Sequence, residues 1–365
     1  MWICLKKITS PPYRPDIKLN ERNSNLELYR IIVMLLIVAH HYVVNSGLIQ
    51  VMESEPLSLK NSFFYLYGMW GKTGINCFVL ITGYFMCKSH ITVYKFLKLL
   101  LQVIFCDVVI NLLFIIAGYQ EMSFYSLYQM LWPVKSVADG FVSCFLLFYL
   151  FIPFLNVLIM NLDKHMHLLL IALLLFIYTF LGTTDLRVDM NYLTWFVVLY
   201  FISSYIRLYG IDISRFKIGW GIMSILSIVL SAGSVLVISY IGHNTPFREF
   251  VLVSDSNHIL AVATSICLFM YFKDWKLKHS HFINVIAATT FGVLLIHANS
   301  DIMRQWLWRD TLDNVGAYHT PYAILHALVS VAAVFILCVF IDYIRIKWIE
   351  KPLFCWINNR FKVKI

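Results

Sequence analysis

The first apolar run of the chain, residues 27–42, reads ELYRIIVMLLIVAHHY. Nine apolar residues separate Arg30 from a pair of histidines, His40 and His41. A helix needs about 20 mostly apolar residues to cross about 30 Å of hydrocarbon, and this run has that length when it is taken as residues 27–46. It predicts a membrane-spanning helix that carries ionisable groups.

The composition of the whole chain predicts the same environment. Of its 365 residues, 60% are apolar and 13% are charged, and the mean hydropathy is +0.74. Soluble domains have about 45–50% apolar and about 25% charged residues, so this chain lacks the polar surface of a water-soluble globule. Its eight cysteines include no CxxC pair, and we expect buried free thiols rather than disulfides.

Ten apolar stretches separated by short polar segments predict an all-α polytopic membrane protein, a bundle of about ten transmembrane helices. We place them at residues 27–46, 62–87, 94–118, 139–160, 166–182, 191–209, 218–241, 257–272, 285–308 and 321–344. The chain then divides into a cytosolic N-terminal tail at 1–25, a transmembrane domain at 26–345 and a basic cytosolic C-terminal tail at 346–365.

The basic residues predict the orientation of this bundle. A net charge of +9 would suggest a nucleic-acid partner for a soluble protein, but in a membrane protein it reflects cytoplasmic loops. With the N-terminus inside, 22 of the 29 Lys and Arg residues fall on the inner side. We therefore expect both termini in the cytoplasm, the lipid bilayer as a partner, and no nucleic acid.

Ionisable residues inside spans are costly and mark candidate functional sites. Arg30 and His41 are eleven residues apart, which on a helix is three turns plus about 20° and a rise of about 16 Å. They share one stripe, with Arg30 at the cytoplasmic rim and His41 deeper in the membrane. Histidine can accept a proton near neutral pH. The alternative is that Arg30 is only an inner anchor and that both histidines approach the outer headgroups.

The second span carries Lys72 and, one turn further in, Asn76, among glycines that favour close helix packing. Lys72 can instead extend to the outer surface, whereas Asn76 needs a hydrogen-bond partner. Asp107 and Asn111, at i and i+4 of the third span, are a weaker candidate for a buried polar pair. His258, His326 and Asp342 are isolated in the sequence, and we favour structural or interfacial roles for them.

The ninth span, FGVLLIHANSDIMR at residues 291–304, places His297, Asp301 and Arg304 at i, i+4 and i+7, on one helix face. His297 lies about 18 Å from an inner edge at residue 285, and His41 about 21 Å from residue 27. We expect the two histidines at one depth. The alternative for Asp301 and Arg304 is an ion pair at the outer surface.

Several known motifs are missing. The chain has no HExxH, no GxxxxGK[ST], no GxGxxG after a strand and no GxSxG. We expect no metal, since a His-His pair alone is a poor metal signature.

Five segments carry a resemblance to a known family. They are NxELYRIIVMLLIVAHHY at the start of the first span, GINCFVLITGYFM in the second, DGFVSCFLLFYLFIPFLN in the fourth, FGVLLIH in the ninth and the basic exit IKWIEKPLF. In order and spacing the chain resembles the acyltransferase-3 family of bacterial integral membrane O-acyltransferases over essentially its whole length. The chain departs from the family pattern at Gly140, at Lys95 and Lys98, and at Leu294, where the family has an aromatic residue, an arginine-rich segment and a tyrosine.

The resemblance implies an O-acetyltransferase of the bacterial cytoplasmic membrane. Acyl-CoA, with acetyl-CoA as the first candidate, would bind from the cytoplasm with its phosphates near Arg30, Lys95 and Lys98. His41, which has the family spacing where His40 does not, would act as general base or acyl relay. His297 is a second candidate for catalysis because helical rise places it at the depth of His41. The acceptor would be a cell-envelope glycan or a lipid-linked sugar.

Lys72, Asn76 and Asp301 are candidates for positioning this acceptor or for binding the oxyanion, as His297 also is. Two other functions stay open: a transporter or flippase for a lipid-linked sugar, and a membrane sensor or scaffold. The sequence shows no inverted repeat and no paired helix breaks of the kind that transporters have.

Overall fold

A 21-residue helix, α1 (Ser24–Val44), lies at the centre of the bundle and contacts six other helices. The computed structural model describes residues 23–55, 58–137, 140–184, 188–213, 219–241 and 252–361, which are mostly helical and contain no β-strand. The predicted N-terminal tail lies outside the described residues up to residue 22, as do residues 362–365 of the C-terminal tail.

The helices after α1 follow one another with short connections. They are α2 (Leu48–Ser54), α3 (Leu59–Gly68), α4 (Gly71–Met86), α5 (Val93–Ile116), α6 (Phe124–Leu131), α7 (Phe141–Asn161), α8 (Lys164–Leu175), α9 (Tyr192–Tyr209), α10 (Trp220–Ile241), α11 (Ile259–Asp274), α12 (His281–His297), α13 (Asp301–Gln305), α14 (Asn314–Tyr318), α15 (Ala323–Arg345) and α16 (Lys351–Phe361). Short π-helical segments extend three of these helices: Phe176–Leu181 after α8, Trp306–Thr311 after α13 and Ile346–Glu350 after α15.

Six helical stretches of the described chain are long and apolar enough to cross a membrane, and a seventh counts if a bent pair is one span. The six are α1, α5, α7, α8 with its π-helical extension, α10, and α15 continued through α16. The other predicted spans fold as helices that are shorter, interrupted or, for α9, less apolar. A multi-pass helical membrane protein is thus confirmed, whereas the count of ten spans stays a prediction.

The second and ninth predicted spans are not continuous helices. The second is interrupted at Met69 and Trp70, between α3 and α4. The ninth ends at His297, and the helix that resumes at Asp301 is turned by 93°. The prediction that His297, Asp301 and Arg304 share one helix face is therefore wrong.

Two polar side chains explain the bend after His297. The Asn299 amide donates to the Leu295 carbonyl oxygen, 3.2 Å away, and to the Asp107 carboxylate, 2.7 Å away. The Ser300 hydroxyl accepts the Met303 backbone N–H and caps the start of α13. These bonds satisfy backbone groups at both helix ends that would otherwise be unpaired in the membrane.

Close packing of α1 against α4 depends on small residues. A Cβ atom on Gly74 would lie 2.8 Å from the Ile37 side chain, and one on Gly71 would overlap the His40 ring. Between helices surrounded by lipid, the hydrophobic effect does not drive association. The dispersion contacts of such close packing stabilise the helix pair instead. The same packing sets His40 at the break between α3 and α4.

Contacts at the two ends of α1 show which neighbouring helices lie at each end of the bundle. At its start, the Asn25 amide donates to the Phe272 carbonyl oxygen at the end of α11, 2.8 Å away. At its end, the Tyr42 hydroxyl bonds His326 near the start of α15, 2.8 Å away. We call these the Arg30 end and the histidine end of the bundle.

Residues 346–361 of the predicted C-terminal tail are helical. The first turn of this segment returns Glu350 to Arg345, at 2.8 Å, and Arg345 also pairs with Asp342, at 2.6 Å. Asp342 is fully buried, so this residue, isolated in the sequence, belongs to an ion-pair network at the Arg30 end.

Candidate active site

Two histidines from different helices meet inside the bundle. His41, in the last turn of α1, and His297, the last residue of α12, lie with His41 Nδ1 2.9 Å from His297 Nε2. His297 is fully buried, and His41 is partly exposed. The expectation that the two side chains lie at one depth is met by this contact.

The second nitrogen of His297 determines how the pair is protonated. His297 Nδ1 lies 2.6 Å from the Val293 carbonyl oxygen, which can only accept a hydrogen bond, so Nδ1 carries the proton. In neutral His297, Nε2 is then the acceptor for His41 Nδ1–H. His41 therefore presents an unprotonated Nε2, the form that a general base requires.

His40 makes different contacts from its neighbour. Its Nδ1 lies 2.5 Å from the Gly68 carbonyl oxygen at the end of α3, and its ring packs on Gly71. This contact with the carbonyl at the end of α3 lets His40 fix the α3–α4 break. His41, by contrast, is bonded only to the second histidine among the contacts found in the described chain.

Aromatic side chains close the site beside the dyad. Trp308, fully buried, packs edge-on against the His297 ring at a centroid distance of 6.4 Å and against Tyr42 at 5.8 Å. His326 bonds the Tyr42 hydroxyl, so this residue, isolated in the sequence, supports the helix that carries His41. Sequence reasoning missed Trp308 and Tyr42, since only the bend after His297 brings Trp308 back over α1.

Lys72 and Asn76 lie at the histidine end, on α4. The Lys72 ammonium donates to the Tyr192 hydroxyl at 2.7 Å and lies 3.5 Å from Asp255. The Asn76 amide donates to the Ser256 carbonyl oxygen, and its own oxygen accepts the Trp195 indole N–H. Lys72 is within electrostatic reach of His41, whereas Asn76 is fully buried and engaged on both sides.

Asp301 and Arg304 lie beyond the bend. Their side chains pair with each other at 2.8 Å, and Asp301 is 95% exposed. An ion pair between Asp301 and Arg304 is what the alternative given in the sequence analysis predicts. Arg304 is nevertheless within electrostatic reach of both His41 and His297.

The three residues expected to bind the donor lie at the Arg30 end, each with a different partner. Arg30 pairs with Glu27 at 3.3 Å and faces the Phe78 ring. Lys98 pairs with Glu350 at 2.7 Å. Lys95 is exposed and donates to Ser89 and to the His90 carbonyl oxygen. The contacts described for these three cations differ from one another.

Phenylalanine rings line the interior between Arg30 and the dyad. Phe78, against Arg30, contacts rings from α7 and α12, and the α12 ring, Phe291, lies six residues before His297. The interior between the two ends of the site is therefore apolar and aromatic.

Asp107 and Asn111 are not a self-contained pair. Asp107 is buried and bonds Lys135, at 2.8 Å, in addition to Asn299. The described residues contain no group of three or more His, Cys, Asp or Glu side chains placed to hold a metal ion.

A comparison with known proteins identifies the family to which this chain is similar. The model of the acyltransferase-3 family, described as an acyltransferase domain, matches residues 23–343. No curated protein and no solved structure matches the chain. The matched residues include the whole of α1 and α12, and hence both histidines.

Proposed function

Because the chain belongs to the acyltransferase-3 family and is a membrane acyltransferase, we propose that it transfers an acetyl group from cytoplasmic acetyl-CoA to a sugar hydroxyl. The acceptor is a cell-envelope glycan or a lipid-linked sugar, and the enzyme works in the bacterial cytoplasmic membrane with both termini inside. The hydrogen-bonded pair of His41 and His297 is the observation that carries this proposal.

His41 acts as the base of the transfer. Its Nε2 takes the proton of the acceptor hydroxyl while the hydroxyl oxygen attacks the thioester carbonyl carbon. The carbon–sulfur bond then breaks, and the His41 imidazolium returns the proton to the departing CoA thiolate. The products are the acetyl ester and free CoA, and His41 is again neutral.

His297 orients the base. By accepting the Nδ1–H of His41 it fixes the tautomer that leaves Nε2 free, and it shares the positive charge of the imidazolium during the reaction. The Val293 carbonyl oxygen at 2.6 Å holds the His297 ring in turn. Hydrolytic triads have the same arrangement of a base and an orienting group, but there a carboxylate orients the histidine.

The donor enters from the Arg30 end. Arg30 binds the CoA phosphates at the membrane surface, with Lys95 and Lys98 adding positive charge along the rim. The pantetheine arm then extends along the apolar interior next to Phe78 and Phe291 to the dyad. The rise of about 16 Å from Arg30 to His41 is bridged by the extended arm.

The test uses purified enzyme in proteoliposomes supplied with labelled acetyl-CoA and envelope glycan extracted from the source cells. Wild-type enzyme transfers label to the glycan, and His41→Ala lowers the rate by at least about 100-fold at unchanged membrane insertion. His40→Asn is the matched control and keeps most of the activity. Wild-type turnover by His41→Ala, or loss of activity confined to the His40 variant, would refute the assignment.

A second measurement tests the donor end. Arg30→Ala raises the KM for acetyl-CoA while the kcat at saturating donor changes little, because the phosphates bind far from the reacting carbon. An unchanged KM would exclude Arg30 from the donor site.

A further inference from the structure

Two buried N–H groups near the dyad have no acceptor among the described residues. They are Arg304 Nε and Trp308 Nε1, and both lie on the helix that follows the bend after His297. Buried donors are rarely left unpaired, since the loss of hydration costs about 1–3 kcal/mol. Two of them on one short helix point to an acceptor that arrives with a ligand.

Trp308 contacts the histidine pair, and Arg304 lies near it. Trp308 packs edge-on against His297 and also touches Tyr42, the residue next to His41. Arg304 lies about one helical turn earlier and interacts electrostatically with both histidines. Its Nη1 is bonded to Asp301, which leaves Nε on the buried edge of the guanidinium group.

Two other polar side chains of the histidine end, Asn76 and Lys72, are already engaged. The Asn76 amide has a partner on each side, and the Lys72 ammonium is held by Tyr192 and Asp255. In the described part of the chain, Arg304 and Trp308, unlike these two side chains, each keep an N–H free for a new acceptor beside the dyad.

We infer that Arg304 Nε–H and Trp308 Nε1–H form the oxyanion hole of this enzyme. The inference rests on the proposed function. When the acceptor oxygen attacks the thioester carbon, the electron pair of the carbonyl bond moves onto its oxygen, and the two N–H groups donate to that oxyanion. The pair returns as the carbon–sulfur bond breaks, and the thiolate takes its proton from His41.

The charge of Arg304 adds to this effect. Donors that are fixed before the reaction stabilise developing charge strongly where water is excluded, and the guanidinium group supplies a full positive charge. The exposed Asp301 carboxylate holds the opposite edge of that group and keeps it from rotating away. Asp301 is then a positioning residue for Arg304 rather than a ligand of the acceptor.

The experiment compares Arg304→Lys and Trp308→Phe with two matched controls, Arg309→Lys and Trp306→Phe, on the same helix. We expect each test variant to lower kcat by about 100-fold to 1,000-fold, the usual effect of losing one oxyanion donor, with the KM for acetyl-CoA within about twofold. The controls keep kcat within about threefold. Thermal midpoints of all four variants in detergent are measured to compare their folding.

Each outcome decides between the alternatives. A kcat within threefold of wild type for both test variants, or a raised KM at unchanged kcat, overturns the oxyanion assignment while His41→Ala still abolishes transfer. If wild-type enzyme transfers nothing from acetyl-CoA, the proposed function itself fails.

A second substitution covers a folding defect at Trp308. Benzothienylalanine at position 308 keeps the shape of the ring and replaces its N–H by sulfur, so the packing against His297 is preserved. The loss of kcat is expected to persist in that variant, and recovery of wild-type kcat would overturn the role of the indole N–H.

Discussion

At the scale of single residues, His41 is oriented by a neutral ring and not by a carboxylate. A charged orienting group at this depth would need to be desolvated, which costs several kcal/mol unless it is fully paired. The acidic residues of the described interior are indeed paired: Asp107 with Lys135, and Asp342 with Arg345. A histidine that is itself held by a backbone carbonyl fixes the tautomer of His41 without adding a charge.

Substitution of His297 tests this role. In His297→Gln the side-chain oxygen can still accept the Nδ1–H of His41, whereas His297→Phe offers no acceptor. We expect the kcat of acetyl transfer to fall by about 100-fold or more in His297→Phe and by clearly less in His297→Gln. Equal activity of the two variants would show that His297 does not act through its hydrogen bond.

At the scale of helices, the bend after α12 is what assembles the site. It places Trp308 against the His297 ring, and the Asn299 amide, bonded to Asp107, holds the bend in place. In Asn299→Ala the end of α12 loses both bonds of that amide, and we expect kcat to fall by about tenfold, since misplacement of a catalytic group by about 1 Å has effects of this order or larger.

The control for Asn299→Ala is Asn111→Ala. The Asn111 amide donates only to the backbone oxygen of Asp107 in the preceding turn of its own helix. Its removal leaves the bend intact, and we expect near wild-type kcat. A loss of activity of the same size in both variants would mean that the bend is not what matters.

A second feature at this scale is the contact of α12 with α15. A Cβ atom on Gly292 would lie 2.1 Å from the Asp342 carboxylate carbon, and Asp342 cannot move without breaking its pair with Arg345. We expect Gly292→Ala to lower the thermal midpoint by several degrees, consistent with an overpacking cost of about 1–3 kcal/mol. Gly233→Ala on α10, where a Cβ meets open space, is the matched control and leaves the midpoint unchanged.

The sequence predicts features that depend on a single helix, such as the depth of a residue along its axis. Constant helical rise places His41 and His297 at one depth, and they do meet. The bend between His297 and Arg304 was not predicted from the sequence, because apolar residues resume at 302–308 after a short polar segment. That segment, Asn-Ser-Asp at 299–301, contains the cap residues that start a new helix. Periodicity reports which face is apolar, not whether the axis continues.

At the scale of the whole molecule, composition predicts the membrane environment and the order of motifs predicts the family. The sequence did not predict which side chains from distant segments contact each other. Lys98 was expected at the donor phosphates, yet it pairs with Glu350, a residue 252 positions later that a π-helical turn brings back. Asn76 likewise finds its partners on two other segments, because the side chains it meets depend on how the helices pack.

The orientation of the bundle is open to a direct test through Cys355. Among the described cysteines it is the exposed one, and it lies on α16 beyond the Arg30 end. With both termini in the cytoplasm, a membrane-impermeant maleimide labels Cys355 in inverted vesicles and not in intact spheroplasts, in a Cys4→Ser background.

The matched probe for the opposite side is Leu59→Cys in a Cys4→Ser, Cys355→Ser background. Leu59 is 92% exposed at the start of α3, next to the histidine end, so its thiol is labelled from outside in intact spheroplasts. Labelling of both positions from one side would contradict the opposite placement of the two ends. Labelling with the sides exchanged would place Arg30 outside, where cytoplasmic acetyl-CoA does not reach it, and the proposed donor route would then be wrong.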